Sequence, residues 1–320
     1  MDIVSKRSDL IVRPLRESDF PEVRRIIRVA FGTHAGVPDP ENQWTDVDYV
    51  AGRWWTDPAA AFVVEIDRKI IGSNFATRWG SFGFFGPLTV HPEYWDRHIG
   101  HHLIEPVMEC FEKWKITQTG LFTFADSAKH IGLYQKFGFW PRFLTAIMSR
   151  EVRTQDSASD WSRFSEQSTA SRESILQECS ALTGAVYHGL DVQLEIRAVC
   201  EQNLGETILV WNDHRLVAFA VCHCGRDTEA GEDRCYIKFG AALPGAEALR
   251  HFDNLITACN AFADSRRLAH LDAGVNVARI EAYRHMLGCG FRTMRQGVAM
   301  HLPNEPGHCL PGVFVMDDWR

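Results

Sequence analysis

The chain has 320 residues and a mass of 36.3 kDa, with 45% hydrophobic and 23% charged residues, a balance that fits two compact cores and excludes disordered, collagen-like and fibrous architectures. No apolar run approaches the roughly 18 residues that span a bilayer. The net charge is −7, and the 27 Arg and 7 Lys are scattered along the chain rather than gathered into a stripe, which argues against a nucleic-acid surface.

Leu10 to Leu15 (LIVRPL) reads as a strand, and Asp19 then caps a helix over 21–31 whose Val23, Ile26, Ile27 and Ala30 share one face. The stretch 32–43, rich in Gly, Pro and Asn, reads as a loop and is followed by a short helix over 47–55. Three strands form a meander: 61–66, 70–78 after the turn residues Asp67, Arg68 and Lys69, and 84–90 after a Gly-rich bend. Ile99, Leu103, Val107, Cys110, Phe111 and Trp114 recur at spacings of three and four and predict an amphipathic helix. Pro106 inside it removes the bond to the His102 carbonyl and predicts a bend. A strand over 121–125, a helix over 128–137 and a strand region over 139–148 follow.

Residues 151–174 are poor in aliphatics and dense in Ser, Asp, Glu and Arg, which reads as a polar linker. After it a similar order returns: a helix over 175–185, strands over 206–211, 215–224 and 235–240, a helix over 246–263, a strand over 269–275, a helix over 279–287 and a strand over 297–302. The reading is a first domain over 1–150, a linker over 151–174 and a second domain over 175–320 that resembles a worn copy of the first. The start of the chain mixes Asp2, Lys6, Arg7 and Asp9, with no apolar run ahead of a cleavage site. Nine Cys, an odd number without a C-x-x-C pair, read as reduced thiols. A cytoplasmic protein is the expectation. Cys222, Cys224 and Cys235, or His98 and His102, lack the complement of ligands that a zinc site needs, so no metal is expected.

The strongest chemical signal is 88–103, LTVHPEYWDRHIGHHL, where a strand passes through a Pro-containing turn into a helix with Gly100 in its first turn. A helix start offers free N–H groups and a positive dipole end that suit a phosphate. Arg97, His98, His101 and His102 add donors there. A single junction of this kind is more often plain structure. Downstream stands SAKHIGLYQKFGF, residues 127–139.

Together the two segments resemble the GNAT superfamily of N-acyltransferases, which carry Q/R-x-x-G-x-G/A after the fourth strand and N-x-x-x-x-x-L-Y-x-x-x-G-F after the fifth. Leu133-Tyr134 and Gly138-Phe139 match the second motif, with Ser127 in place of Asn; in the first motif Trp95 replaces Gln/Arg, His98 replaces the first Gly, and Gly100 is retained. The resemblance covers 10–150 in element order and implies an α/β fold of two GNAT-like domains. Each would be a central mixed, mostly antiparallel sheet flanked by helices.

The resemblance further implies that acetyl-coenzyme A lies between the fourth and fifth strands and that a substrate amine attacks its thioester in a ternary complex, with Tyr134 as the acid for the departing thiolate. Backbone groups of Leu88 and Val90 would pair with the pantetheine arm. Arg97, His98, Gly100, His101 and His102 would surround the pyrophosphate, and Ser127 matches the Asn position. The general base is open among Glu65, Glu93 and Asp126, each equally well a surface carboxylate, and a water chain would serve as well. An acceptor pocket is expected from 33–48 and 140–145, which hold Trp44, Asp46, Asp48, Trp140 and Phe143, with Trp79 and Phe85 on nearby strands. Aromatic walls with a few carboxylates suit an amine, small or carried by a peptide or protein. The second half has no phosphate motif over 238–249 and places Met286 at the tyrosine position when counted back from Gly290-Phe291, so it reads as degenerate. A non-catalytic ligand sensor with the same fold is the rival reading.

Overall fold

The computed structural model describes residues 10–154 and 160–320. The start of the chain, 1–9, and residues 155–159 of the expected linker lie outside the described residues. Two compact units emerge, and each takes chain from both sides of the other: the first comprises the described residues up to Thr45, Tyr49–Thr77 and Phe85–Trp114, the second Asp46–Asp48, Arg78–Phe84 and the described residues from Lys115 on.

In chain order the first elements are β1 (Leu10–Pro14), α1 (Phe20–His34), α2 (Ala51–Thr56), β2 (Ala61–Ile66), β3 (Lys69–Trp79), β4 (Phe82–Phe85), β5 (Thr89–Val90) and α3 (Ile99–Lys113). In the first unit β2 lies antiparallel between β1 and β3, with Val12 opposite Val64 and Val63 opposite Ser73. The turn between β2 and β3 is a two-residue one with Asp67 and Arg68 both at positive φ, the twist that matches a hairpin. The apolar stripe of α1, including Val23 and Ile27, packs with Leu15, Val50, Ala61, Val63 and Phe75, so the period-3.6 pattern meets the period-2 face of the sheet.

The expected strand over 84–90 is broken in two. Pro87 has no N–H for a ladder, and Gly86 turns away, its N–H donating to the Phe75 carbonyl at 2.9 Å while its carbonyl accepts from the buried Arg53 guanidinium. β5 then resumes against β3 as a short pair, Val90 opposite Gly72 and Thr89 opposite Ser73.

The second unit continues with β6 (Gln118–Thr123), α4 (Ala128–Gln135), β7 (Trp140–Glu151), β8 (Trp161–Arg163), α5 (Thr169–Val186), α6 (Gln193–Glu201), β9 (Gly205–Asn212), β10 (Arg215–Gly225), β11 (Gly231–Ala242), α7 (Ala248–Ser265), β12 (His270–Asn276), α8 (Ile280–Gly288), β13 (Arg292–Leu302) and β14 (Val315–Met316). Its sheet runs β4-β6-β13-β7-β12-β11-β10-β9-β8, with β14 also paired to β11. Pairs β4/β6 and β11/β12 are parallel and the other pairs antiparallel. This is the mixed α/β sheet with flanking helices that the sequence predicts. Alternation sorts the side chains: Ile208 and Val210 face a core with Phe252, Leu255 and Cys259 of α7, whereas Leu209, Phe219 and Phe239 face one with Leu176 of α5 and Ile196 of α6. The β9–β10 turn, Asp213 and His214, repeats the two positive φ values of Asp67 and Arg68. Part of the expected linker is ordered structure, since β8 pairs with β9 and α5 begins at Thr169. No helix among the described residues is long and apolar enough to cross a membrane.

The centre of this sheet is a reciprocal exchange. β13, from the end of the chain, pairs with β6, Val298 opposite Thr123; β7, from the first half, pairs with β12, Ala146 opposite Val275; and β7 and β13 pair with each other. Glycine makes the junction fit, because a Cβ at Gly297 would stand 2.3 Å from the Phe122 ring. Each half therefore completes the other's sheet. A protease site engineered between Gln155 and Ser159 is expected to yield two fragments that still migrate as one species near the 36.3 kDa of the chain in size-exclusion chromatography with light scattering. Separation of the fragments without denaturant would contradict the exchange.

Candidate active site

In the first unit the residues expected to surround a phosphate stand at one junction. Asn74 on β3 donates through Nδ2 to the Leu103 carbonyl at 3.0 Å, tying α3 to the sheet. Gly72 allows β5 to come close, since a Cβ there would meet the Thr89 carbonyl at 2.6 Å. The His91 N–H donates to the Ile71 carbonyl at 2.8 Å, and Ser73 and Thr89 hydroxyls meet at 3.1 Å. Leu88 and Val90 are half-buried at this strand. The Val90 carbonyl accepts from Trp95 Nε1 at 2.7 Å, so the residue that departs from the family pattern pins the loop to β5.

Between Trp95 and α3 the backbone is left-handed at Asp96 (φ 63°) and His98 (φ 60°). The left-handed region is the conformation that glycine adopts freely, and His98 occupies it where the motif has Gly. His98 is the N-cap of α3, its side chain makes no cap bond, and the first turn holds no acid. The first N–H groups of a helix lack intrahelical partners, and here they open beside exposed Arg97 and His98. Arg97 stacks its guanidinium 5.1 Å from the Tyr94 ring. His101 and His102 each approach Glu105, at 3.5 and 3.4 Å. Glu105, which no motif singles out, competes with any anion for both imidazoles.

Tyr134 and Ser127 belong to the second unit. Ser127 caps α4, its hydroxyl accepting from the His130 N–H at 3.4 Å, so the residue in the Asn position has a structural task. Tyr134 is buried, and burial pushes its phenol up to about 12, against the opposing pull of a hydrogen bond with the Thr123 side chain. It is a protonated phenol throughout the neutral range. Its carbonyl accepts from the Phe139 N–H at 3.2 Å, across left-handed Gly138.

The second half reproduces that turn with different chemistry. The Met286 carbonyl accepts from the Phe291 N–H at 3.1 Å, across left-handed Gly290, so Met286, not Tyr283, stands in the tyrosine position. Glu247 is the N-cap of α7 rather than a first-turn residue, and it pairs with Arg250 at 2.6 Å. β11 and β12 stay paired only from Arg234 opposite His270 to Ile237 opposite Ala273. Beyond that point β14 takes over, Gly240 opposite Met316 and Ala241 opposite Val315. The segment is anchored firmly: Tyr236 donates to Asp318 at 2.8 Å, Arg279 donates to the Val315 carbonyl at 2.6 Å and pairs with Asp317, and His308 meets Asp317 at 2.7 Å. Burial would raise the Asp317 carboxyl, but Arg279 and His308 outweigh it and hold it well below the usual carboxylate range.

Of the base candidates, Glu65 is held by Arg13, whose Nε lies at 2.8 Å, while Glu93 and Asp126 are exposed. Among the residues expected to shape an acceptor pocket, Asp46 and Asp48 join the second unit, where the Asp48 N–H donates to the Thr228 carbonyl at 3.0 Å and Asp46 accepts from the Glu232 N–H at 2.9 Å. Trp79 is fully buried and donates to Glu195 at 3.1 Å. Lys238 meets Glu195 at 3.1 Å and Glu229 at 3.0 Å. This buried trio joins Glu195 to the neighbouring Glu229 and Lys238 and has no motif to announce it. Trp140 is half exposed, and Phe143 lies under Arg142 at 5.3 Å.

The strain at His98 gives a direct test. Left-handed backbone costs about 1–2 kcal/mol for a side chain with Cβ, partly offset by the greater unfolded-state freedom of glycine. His98→Gly is therefore expected to raise stability by about 0.5–1 kcal/mol in urea unfolding, and His98→Val to lower it. Equal midpoints for all three proteins would refute the assignment of strain.

The Acetyltransferase (GNAT) family matches residues 23–139. Similar solved folds include a Pyrococcus horikoshii protein taken for an acetyltransferase (TM-score 0.67, 11% identity, 97% of this chain and 95% of that one). They also include a GCN5-related N-acetyltransferase from Sphaerobacter thermophilus (TM-score 0.57, 12% identity, 91% and 95%) and a tandem GNAT protein from the clavulanic acid biosynthesis pathway (TM-score 0.55, 11% identity, 92% and 98%). No curated protein matches in sequence. Residues 23–139 thus match the GNAT acetyltransferase family, and the fold of the chain is one shared with solved GNAT structures, a tandem member among them.

Proposed function

We propose that the chain is an N-acetyltransferase that moves an acetyl group from acetyl-coenzyme A to a primary amine by direct attack in a ternary complex. The observation that carries this reading is the β5–α3 junction, where a helix start without acids in its first turn follows a strand that Trp95 pins in place, within the stretch that matches the family. The helix start and Arg97 hold the pyrophosphate, with His98, Gly100, His101 and His102 around it, and the backbone of Leu88 and Val90 pairs with the pantetheine arm. The first half alone takes the donor; β14 on β11, Glu247 at the start of α7 and Met286 in the tyrosine position all speak against a second donor site.

In the reaction the neutral amine attacks the thioester carbonyl, the carbon–sulfur bond breaks, and the proton lost by nitrogen ends on the thiol. Tyr134 donates a hydrogen bond to the departing sulfur. With a phenol at about 12 against a thiol near 8.5, complete proton transfer to a free thiolate is uphill by about 5 kcal/mol. Hydrogen-bond stabilisation of developing negative charge is therefore its task. The negative net charge favours a cationic amine by long-range attraction. Nine free cysteines suit the reducing cytoplasm.

Tyr134→Phe is expected to lower kcat by about 100-fold while the dissociation constant of acetyl-coenzyme A, read by calorimetry, stays within about threefold. Unchanged turnover would remove Tyr134 from the chemistry. Gly100→Glu should abolish donor binding, because a carboxylate at the helix start opposes the phosphates; binding retained in this variant would overturn the donor assignment. Binding without turnover on any amine would favour a sensor. As Tyr134 stays protonated, kcat/KM should climb with pH as the amine loses its proton and show no descending limb below about pH 10.

A further inference from the structure

α7 and α8 bring together three side chains that the proposed acetyl transfer does not use. Asp253 lies on α7, and His285 and Cys289 lie four apart at the end of α8, on one face of the helix. His285 Nε2 is 2.8 Å from Asp253 Oδ1 and 3.4 Å from Cys289 Sγ, and Cys289 Sγ is 3.8 Å from the same Asp253 oxygen. Three donor atoms of different elements thus point at one another. His285 Nε2–H and the Cys289 thiol can both donate to Asp253 Oδ1, so all three atoms converge on one point.

We infer that Asp253, His285 and Cys289 form a binding site for a divalent ion of the zinc class. The geometry supports it: with zinc bonds of about 2.0–2.3 Å and tetrahedral angles, the edges between ligand atoms are about 3.4–3.6 Å. The two edges to sulfur already stand near that length, and the Asp253–His285 edge is short because those groups bond to each other. Rotation of the exposed Asp253 carboxylate opens it. A thiolate, an imidazole and a carboxylate select zinc or cobalt over magnesium or calcium, which take oxygen ligands. The two anionic ligands neutralise the ion, so the site adds no net charge beside Arg150, which donates to the Cys289 carbonyl at 2.8 Å, or beside Arg153 near Gly290. Cys289 follows the last turn of α8, where the helix carbonyls favour a cation. The exposed side leaves a fourth position to water, and the bound ion staples α7 to α8.

The test is anaerobic titration of the full chain with cobalt(II) in the presence of a non-thiol reductant, followed by displacement with zinc. The expected result is one ion per chain, with the near-ultraviolet sulfur-to-cobalt band and the intense visible bands of a tetrahedral site. Cys289→Ser should lose the sulfur band, and Asp253→Ala, at an exposed position, should weaken binding by more than about 10-fold, the lower end of what loss of an outer hydrogen-bond partner costs. Cys222→Ser should leave the spectrum intact, because Cys222 lies in a different cluster with Cys259. Absence of a sulfur band in the parent chain, or the same band in Cys289→Ser, would overturn the site. Donor binding measured on the same samples keeps this result separate from that of the acetyl-transfer reading.

Discussion

Two parallel strand pairs part early, and the open backbone they leave behind organises much of the molecule. β4 and β6 pair from Phe82 opposite Gln118 to Phe84 opposite Gly120, and β11 and β12 part after Ile237 and Ala273. Backbone polar groups buried beyond such a parting must find partners. In the second half the chain supplies them itself, with β14 on β11 and an ion-paired anchor of Arg279, Asp317 and His308. Breaking one member of a buried pair of this kind costs several kcal/mol because the remaining charge is stranded, so the segment is held as core.

The repeat between the halves is exact in some places and lost in others, and the pattern of loss is informative. The two-residue hairpins at Asp67-Arg68 and Asp213-His214 and the glycine turns at Gly138 and Gly290 persist. These positions are dictated by backbone geometry, which both sheets need equally. Tyr134 against Met286, and the acid-free start of α3 against Glu247 at α7, differ where only chemistry would require agreement. Scaffold has been kept in both halves, and the side chains proposed to take part in acetyl transfer stand in one.

Helices α1, α3 and α7 were legible in the sequence because each lays a 3.6-residue apolar stripe on a sheet, and the turn after Tyr134 was legible because Leu-Tyr and Gly-Phe sit at a fixed spacing. β8 and the start of α5 were hidden by the polar composition around them, although Trp161 and Phe164 pack inward. α6 is short and buries Glu195 beside Ile196 and Val199, which blurs its stripe. The break at Gly86-Pro87 looked like continuous strand because apolar residues flank it. The candidate site and its surroundings split in the same way: the β5–α3 junction is local and could be read, whereas the capture of Glu65 by Arg13 and the pairing of Lys238 with Glu195 join distant segments, for which no spacing exists to read. Strand exchange is invisible for the same reason, since alternation says which face a strand buries and nothing about its neighbour.

That exchange also sets an order of events for the growing chain. Val298 pairs with Thr123 across a gap of 298 − 123 = 175 residues, so β6 waits for its neighbour until nearly the whole polypeptide has been made. Long-range pairing of this kind slows folding, and an apolar strand edge left open meanwhile is a template for wrong partners. The first half therefore emerges from synthesis as an incomplete sheet. Its dependence on chaperones should be greatest in the interval before β13 arrives.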